Sequence, residues 1–476
     1  MDLIDKFLEY EYNHNLFNKE IYGIKFWHFI RFKLYQNILK QVNHTGELSS
    51  TPERGKIEKL QVMIDQVYNI LFKSPLWGLK PKEVLVLNSP RRLKNGNCYE
   101  CIYTDDLIKD LELPYYVLEY PYLGKHFKPV RTKNLLYFDS VSLKRTLLRR
   151  KYMKEKKFSL RDEDLKLIEN IIKDLNSIFE VDIKLDFLIN EVEDVIYSYK
   201  TTFQYYNKIL DNIKPKVILE VCHYEFDKLL INEVAKKKGI KVIELQHGTI
   251  DKYHVSYNFY KKMSLPNFPD YIFTFGEYWS KTSRFPIEKE NIIDIGFYNF
   301  EKKQSEFRDK RESRNILFIS QNTIGKELSK LALELNKKLD GQYKIIYKLH
   351  PREFQVWKVD YPELVNSGIE VIDNNDKDLY YYFSISDMQV GVYSTAVFEG
   401  IGFNVKTCIY NTFGHEYMKS LYESGCARLV DNEDEIIEEL SCKKLNDINV
   451  KEKLWKSNSL ENFNRELKCI IAMKTE

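Results

Sequence analysis

Three apolar runs in this sequence stop at polar side chains that could do chemistry. VIELQ ends at His247, YKIIYKL ends at His350 and Pro351, and DMQVGVY ends at Ser394 and Thr395. Short apolar runs that alternate with helical spacings predict parallel strands, and ligands of parallel sheets bind at the carboxyl ends of their strands. We therefore expect these side chains to line a binding cleft, although a strand-end histidine is more often only a hydrogen-bonded polar residue.

The chemistry that these residue types favour is the binding of a phosphate and a ribose. Ser394 and Thr395 open a helical pattern, and the unpaired N–H groups and positive potential of a helix N-terminus attract anions. Glu399, one turn later, could accept hydrogen bonds from vicinal hydroxyls. Either histidine could donate to a phosphate oxygen and offset the charge that develops on a leaving nucleotide. Simple helix capping is the alternative role for the two hydroxyls.

If a group is transferred from such a nucleotide to an acceptor hydroxyl, that hydroxyl must lose its proton, and a carboxylate near a strand end is the expected base. Two loops compete: one follows the first strand and holds Asp105 and Asp106, and the other follows KVILEV and holds Glu220, Glu225 and Asp227. Of these we favour Asp105 or Glu225 without choosing between them, while a solvated helix cap is the alternative for each.

Two adjacent arginines in the first of these loops are candidates for binding an acidic acceptor or a lipid phosphate. They are Arg91 and Arg92, which follow the strand EVLVLN. Guanidinium groups bind phosphate and carboxylate in a bidentate manner. The alternative is that the pair only solvates the loop.

The elements that must position these residues form two strand–helix series. In the first series, strands are predicted at 83–88, 115–120, 134–139 and 216–221, and then within KVIELQHG, PDYIFTFGEYWSK and NIIDIGF. In the second series they are predicted at 314–320, 343–351, 369–373, 387–393 and 405–410. A long stretch without glycine, roughly 141–212, is predicted to be helical. Strands that alternate with helices imply right-handed crossovers and parallel sheets, so we predict two Rossmann-like halves joined around residues 297–313.

Composition limits the class of protein. The chain has 476 residues, 73 Lys+Arg against 70 Asp+Glu, and seven cysteines. A net charge of +3 argues against a nucleic-acid binder. Scattered cysteines favour reduced thiols, and one CxxC without a second is weak evidence for zinc. With no signal peptide and no apolar stretch of about 18 residues, we expect a cytoplasmic protein without a membrane span.

The segment at residues 15–41 mixes aromatic and aliphatic side chains with lysine and arginine. Such a helix could lie in a membrane interface, with Trp27 and Ile30 buried in lipid and Lys25, Arg31 and Lys33 near anionic headgroups. The alternative is a helix that packs on its own domain.

ELQHG, YIFTFGEYW, YKLHPRE and GVYSTAVFEGIGFNVKT together resemble the bacterial surface-polysaccharide transferases of the GT-B fold, a group that includes capsule, Kdo and sialic acid transferases and teichoic acid glycerophosphotransferases. The resemblance spans roughly residues 83–430. It implies an α/β GT-B fold of two Rossmann-like domains facing a cleft, with a donor nucleotide bound by His350, Pro351, Ser394, Thr395 and Glu399. It implies that His247, the HG histidine, contacts the donor nucleotide as well, and we predict a catalytic role for His247. Thr395 departs from the Ser-Ser pair that is usual in several branches.

The resemblance predicts four segments: an N-terminal helical extension (1–80), an acceptor-side domain (81–300), a nucleotide-donor domain (301–450) and a C-terminal helix (451–476) that packs back on the first half. It implies a metal-independent, inverting glycosyltransferase without a cofactor. The sequence agrees, because the acidic stretch DNNDKD (373–378) favours a loop and helix cap over a metal site. The substrates would be a nucleotide sugar and a glycan or lipid-linked glycan, on the inner face of the plasma membrane. Alternatives are a CDP-alcohol polyol-phosphate transferase, a nucleotide-sugar epimerase and a non-catalytic scaffold.

Overall fold

The computed structural model describes residues 2–42, 56–307, 314–442 and 448–473. The chain divides into two compact units. Unit 1 contains Met1–Thr274, Trp279–Asp294 and Leu460–Glu476, and unit 2 contains Phe275–Tyr278 and Ile295–Ser459. The change from unit 1 to unit 2 at residue 295 falls six residues before the boundary expected from the sequence. Residues 308–313, the last part of the expected linker, lie outside the described residues.

The strands and helices are numbered along the chain. The strands are β1 (Val84–Leu87), β2 (Leu93–Asn95), β3 (Cys98–Glu100), β4 (Tyr115–Glu119), β5 (Leu135–Tyr137), β6 (Val217–Val221), β7 (Lys241–Leu245), β8 (Tyr271–Thr274), β9 (Ile292–Asp294), β10 (Asn315–Ile319), β11 (Lys344–Lys348), β12 (Glu370–Ile372), β13 (Met388–Gly391), β14 (Lys406–Tyr410) and β15 (Arg428–Val430). The helices are α1 (Leu3–Asn13), α2 (Trp27–Val42), α3 (Lys56–Phe72), α4 (Asp105–Ile108), α5 (Asp139–Lys154), α6 (Asp162–Phe179), α7 (Leu185–Ile213), α8 (Phe226–Lys237), α9 (Glu277–Thr282), α10 (Tyr298–Glu306), α11 (Gly325–Leu339), α12 (Trp357–Asp360), α13 (Leu379–Ser384), α14 (Thr395–Gly402), α15 (Lys419–Glu423), α16 (Glu433–Ser441), α17 (Ile448–Leu454) and α18 (Ser459–Ala472).

Unit 1 is built on a parallel sheet with the strand order β5-β4-β1-β6-β7-β8-β9. Its central strands read as nearly continuous apolar runs, and all residues of β1 and β6 are buried, as expected for a sheet covered on both faces. The chain passes from β1 outward to β4 and β5, and then returns to add β6 on the other side of β1. This order creates a topological switch point between β1 and β6.

Unit 2 has the strand order β12-β11-β10-β13-β14-β15, again with parallel pairing throughout. Numbered within the unit, this is 3-2-1-4-5-6, the Rossmann order, and its switch point lies between β10 and β13. The predicted α/β fold class is therefore confirmed, since the chain has two Rossmann-like parallel-sheet units, the components of the GT-B fold, and helices at its N-terminus.

The N-terminal helices α1 and α2 belong to the core of unit 1. Phe7, Trp27 and Ile30 are buried, and they join the same apolar cluster as residues of β1 and β6. Arg31 is also buried and binds the Glu11 carboxylate at 2.7 Å. The lipid contact predicted for Trp27 and Ile30 within residues 15–41 is therefore wrong, because both side chains pack in the protein's own core.

The predicted helical stretch at 141–212 is interrupted twice, and three helices replace it. Lys156 and Glu180, which lie between successive helices, have φ values of 47° and 55°. This left-handed conformation ends a helix, and glycine usually provides it. The sequence contained no glycine here, so the breaks could not be seen. Similarly, Asn458, with φ 61°, separates α17 from α18, where one C-terminal helix was expected.

Candidate functional site

Two helices of unit 2 begin beside its topological switch point. Strands β10 and β13 pair in parallel, so their carboxyl ends lie next to each other. The loop after β10 leads into α11, which begins at Gly325, and the loop after β13 leads into α14, which begins at Thr395. The first N–H groups of each helix lack intrahelical partners and carry a partial positive charge. The edge of the sheet is therefore suited to an anion such as a phosphate.

The hydroxyl pair at the second of these loops has two different environments. Ser394 is the N-cap of α14, and its Oγ accepts a hydrogen bond from the N–H of Ala396 at 3.3 Å. Thr395 is exposed at the first position of the helix. Capping thus occupies Ser394, as the simpler interpretation of the sequence predicted, while the Thr395 hydroxyl faces solvent.

Glu399 lies one turn into α14 and is half-buried. Its Oε1 accepts a hydrogen bond from the Tyr380 hydroxyl at 3.1 Å. Burial raises the pKa of the Glu399 carboxyl from 4.5 to about 7, the Tyr380 hydrogen bond opposes the rise, and nearby Asp378 adds to it. A carboxyl group with a pKa near 7 is partly ionised at neutral pH, and the ionised form accepts hydrogen bonds from ligand hydroxyls.

His350 and Pro351 follow β11, which pairs with β10. The loop that carries them is held by the buried carboxylate of Glu353, which accepts hydrogen bonds from the His350 N–H at 2.6 Å and from the Tyr361 hydroxyl at 2.6 Å. A third donor, the Ser320 hydroxyl at the end of β10, binds the same carboxylate at 2.9 Å. Glu353 thereby joins the ends of two neighbouring strands and fixes the backbone at His350, whose side chain is exposed.

In unit 1, His247 follows β7 and lies beside residues that follow β6. Parallel pairing of β6 with β7 places their carboxyl ends at one edge of the sheet. The His247 Nε2 lies 3.2 Å from the Tyr224 hydroxyl, and its Nδ1 lies 3.9 Å from the Glu244 Oε1. The imidazole therefore stands between a hydroxyl on one side and a buried carboxylate on the other.

Glu244 is the centre of a buried polar cluster, which we call the Glu244 cluster and which contains His223, Tyr224, Glu244, His247, His254 and Tyr257. The carboxylate binds the His223 Nδ1 at 2.5 Å and accepts from the Tyr257 hydroxyl at 2.7 Å. The His254 ring packs against Tyr224 and Tyr257, at centroid distances of 5.2 and 4.8 Å. The cluster thus collects three imidazoles around one carboxylate.

The environment sets the protonation of this cluster. Although burial opposes it, the charge and hydrogen bond of His223 lower the pKa of Glu244 to about 2. Burial lowers the pKa of His247 to about 4, and the Glu244 charge only partly opposes this effect. Glu244 is therefore ionised and His247 is neutral at pH 7, so that His247 retains a lone pair able to accept a proton.

The structure places Asp105 and Arg92 in one buried ion-pair network. Asp105 begins α4, and its Oδ2 accepts hydrogen bonds from the Arg92 Nη1 at 2.9 Å and the Thr132 hydroxyl at 2.8 Å. The Arg92 Nε also binds the Glu119 carboxylate at 2.7 Å. Both members of the predicted site are thus engaged in holding the loop after β1, whereas neighbouring Arg91 is exposed.

Glu225, the other candidate base, is the residue immediately before α8. Its side chain is 43% exposed, and its carboxylate pairs with the buried Lys228 at 2.9 Å. It lines a cavity of about 820 Å³ in unit 1. Glu225 is therefore accessible to a ligand, in contrast to Glu220 of β6, which is buried and accepts from Asn232.

Within the described ranges, no group of three or more His, Cys, Asp or Glu side chains is placed to hold a metal ion. Cys98 lies half-buried in the short β2–β3 hairpin, and Cys101 is buried just after it.

Several residues of the site were not identified from the sequence. His223 and Tyr224 follow β6 just as His247 follows β7, so the loop EVCHYEFDK has the same strand-end pattern as His247, beside the carboxylates that were predicted. Glu244 lies inside an apolar strand, and only the strand register reveals its partners. Glu353 lies three residues after His350. From the sequence, a carboxylate at this spacing indicates only a local turn or helix cap, and its contacts with Ser320 and Tyr361 are not apparent.

No protein-family model matches the chain, and no curated protein matches its sequence significantly. Among solved structures, the chain is similar to a UDP-GlcNAc 2-epimerase from Methanocaldococcus jannaschii, with 13% identity, coverage of 81% of this chain and 98% of that chain, and a TM-score of 0.47. It is similar to the wall teichoic acid polymerase TagF, with 13% identity, coverage of 88% and 98%, and a TM-score of 0.41. At this level of similarity no function passes to this chain, and the proposal below rests on its own side chains.

Proposed function

We propose that this protein is a glycosyltransferase that moves a sugar from a nucleotide-sugar donor to a glycan acceptor. Unit 2 binds the nucleotide, and unit 1 provides the base. The observation that carries the proposal is the pair of helix N-termini at the β10/β13 switch point, flanked by His350 and Glu399.

At the donor site, the N–H groups that open α11 and α14 bind the phosphate oxygens, and His350 donates to them as negative charge develops on the leaving group. Thr395 adds an exposed hydroxyl donor. Glu399 accepts hydrogen bonds from the ribose hydroxyls. Pro351 holds the strand end extended, so that the imidazole stays near the helix N-termini. These donors meet the phosphate charge without a metal ion or another cofactor.

At the acceptor side, we assign the role of general base to His247. The Glu244 carboxylate favours the tautomer with the proton on Nδ1, which leaves the Nε2 lone pair directed towards Tyr224. As the acceptor oxygen bonds to the anomeric carbon, its proton passes to the His247 Nε2, directly or through the Tyr224 hydroxyl. The bond between the anomeric carbon and the phosphate oxygen breaks, and the nucleotide leaves with the electron pair.

The other predicted site residues receive supporting roles in this proposal. Asp105 and Arg92 stabilise the loop after β1 through their buried ion pair, and they position the exposed Arg91 near the same edge of the sheet. Glu225, at the mouth of the cavity in unit 1, contacts the acceptor.

The experiment that tests this function is product analysis with a panel of UDP-sugars, CMP-sugars and a CDP-alcohol, with and without glycan acceptors. A glycosyltransferase releases the free nucleotide only when an acceptor is present, and His247→Asn should abolish turnover while nucleotide binding is retained. His14→Asn is the control, because His14 is an exposed histidine of unit 1 outside the Glu244 cluster.

Three other outcomes would replace the proposal. Conversion of a nucleotide sugar without an acceptor would identify an epimerase. Release of CMP from a CDP-alcohol, with the phosphate left on the acceptor, would identify a polyol-phosphate transferase. Absence of turnover with every substrate, together with partner binding that survives His350→Ala, would identify a scaffold.

We also propose that the enzyme works at a membrane surface, through the α3–α5 apolar surface. On α3, the exposed apolar side chains are Met63, Ile64, Val67, Leu71 and Phe72. Helix α5 lies alongside, with Leu143 and Leu147 exposed between lysines and arginines. An apolar stripe bordered by basic residues is suited to an anionic lipid surface. None of the helices in the described part of the chain combines the length and apolar character needed to cross a bilayer.

Sedimentation with liposomes tests the α3–α5 apolar surface. Binding to phosphatidylglycerol vesicles is expected, with weaker binding to phosphatidylcholine vesicles because the basic residues then lack anionic partners. The double variant Val67→Glu/Leu71→Glu should release the protein. If this variant sediments as well as the wild type, the surface does not contact lipid.

A further inference from the structure

A cavity in unit 1 lies between α2, α5 and α7, at the carboxyl end of β6. Its volume is about 820 Å³, which is within the range of ligand pockets. Helices α5 and α7 come from the helical segment inserted between β5 and β6, and α2 comes from the N-terminal part of the chain. The cavity is thus formed where three helices from two separate segments meet the edge of the sheet, and it is not part of the nucleotide site proposed in unit 2.

The charges that line this cavity balance each other. The four cationic side chains are those of Lys33, Arg145, Arg149 and Arg150, and the four anionic ones are those of Glu191, Asp194, Glu225 and Asp227. Most of them are paired across the cavity wall, since Lys33 binds Glu191 at 2.8 Å, Arg145 binds Asp227 at 2.8 Å and Arg149 binds Asp194. A polyanion would require a cationic excess, which these residues do not provide. A ligand without net charge fits this lining.

Paired charges of this kind supply both hydrogen-bond donors and acceptors. Guanidinium and ammonium groups donate, and carboxylates accept. A ligand that presents many hydroxyl groups, each able to donate and accept, can bind to both members of a pair. An apolar ligand could not satisfy them.

The remaining wall of the cavity is aromatic. Phe32 packs against Tyr224 with a centroid distance of 4.8 Å, and Phe29 packs against Phe226 at 5.2 Å. Tyr224 both lines the cavity and contacts His247, at 3.2 Å between its hydroxyl and the Nε2. A hydroxyl group of a ligand that reaches Tyr224 therefore lies next to the imidazole.

We propose that this cavity binds an uncharged saccharide, and that this saccharide is the acceptor of the transfer reaction. The aromatic rings contact its apolar C–H faces, the charge pairs bind its hydroxyls, and Tyr224 connects its reactive hydroxyl with His247. The assignment to the acceptor rests on the proposed function, whereas saccharide binding by the cavity does not.

The test is direct binding, in the absence of nucleotide, measured by saturation-transfer NMR and calorimetry. The neutral probes are cellobiose, lactose, chitobiose and maltotriose, and the anionic probe is an oligomer of glycerol phosphate. Ser198→Trp should fill the cavity, because Ser198 lines it from α7. Ser177→Trp, at an exposed serine of α6, is the matched control. At least one neutral probe should bind, and Ser198→Trp should weaken that binding at least tenfold while Ser177→Trp leaves it unchanged.

Thr146→Trp provides a second way to block the cavity if Ser198→Trp does not fold. Thr146 lines the cavity from the exposed side of α5, and its hydroxyl bonds only to the Ser142 carbonyl of the same helix. Tighter binding of the glycerol phosphate oligomer, binding that survives both substitutions, or no binding of any neutral probe would overturn the proposal. If nucleotides bind while saccharides do not, only the cavity proposal fails. If saccharides bind while nucleotides do not, the transferase proposal fails and the saccharide site remains.

Discussion

Replacement of Glu399 by glutamine should stabilise the protein at alkaline pH. The raised pKa means that the folded state holds a proton on Glu399 between pH 4.5 and about 7, where the unfolded chain has lost it. The contribution of this proton to the free energy of unfolding is fully present below pH 4.5 and is lost as the pH rises through 7. The difference between 4.5 and about 7, at about 1.36 kcal/mol per pH unit, amounts to about 3 kcal/mol, of which about 2 kcal/mol falls between pH 5 and 8.

Glutamine is neutral at both pH values and can still accept a hydrogen bond from Tyr380. The free energy of unfolding is measured in urea at pH 5 and pH 8 for the wild type and for Glu399→Gln. From pH 5 to pH 8, the unfolding free energy of the variant should fall by about 2 kcal/mol less than that of the wild type. Glu423→Gln, at an exposed glutamate of unit 2, controls for the loss of a surface charge. If wild type and Glu399→Gln change in parallel with pH, Glu399 is not protonated near neutrality and the reasoning fails.

Two further substitutions and one pH profile test the rest of the site. Glu353→Ala leaves three donors without their acceptor, two of them on the buried side chains of Ser320 and Tyr361, and should cost about 3 kcal/mol of unfolding free energy, together with a weaker nucleotide affinity. Unchanged urea midpoints would contradict this. Arg92→Met removes the guanidinium partner that the buried Glu119 and Asp105 carboxylates share and should cost about 3–5 kcal/mol, also measured in urea. A stable variant would show that the network is dispensable. In the Glu399→Gln variant, which removes the group with a pKa of about 7 from the donor site, kcat/KM should stay high until the pH falls towards 4, because the pKa of His247 is lowered to about 4. An acid limb near 6.5 in this variant would exclude His247 as the base.

The sequence predicted the two sheets well because their central strands are short apolar runs bounded by polar loops. The strand ends at His247, His350 and Ser394 followed directly from those runs. The breaks after α5 and α6 were not predicted, because Lys156 and Glu180 adopt the left-handed conformation there. In a sequence, usually only glycine or asparagine indicates this conformation.

The composition of the Glu244 cluster could not be predicted, because it depends on long-range geometry. His223 meets Glu244 only when β6 and β7 pair in the observed register, and Tyr257 reaches the same carboxylate from a loop. The ion pair of Arg92 with Asp105 has the same origin. Two residues that each appeared to be free for a ligand turned out to bind each other, and a list of charged residues in loops does not reveal such pairing.

The measurement that tests the central claim most directly is nucleotide binding, detected by thermal shift. The ligands are CMP, CDP, UMP, UDP and GDP, and the proteins are the wild type, His350→Ala and the control His415→Ala. At about 100 times its Kd, a ligand adds about 2.7 kcal/mol to the stability of the folded state. The account predicts that at least one nucleotide raises the Tm of the wild type and of His415→Ala, and not that of His350→Ala. If no nucleotide shifts any of the three proteins, the strand ends of unit 2 do not form a nucleotide site and the account is contradicted.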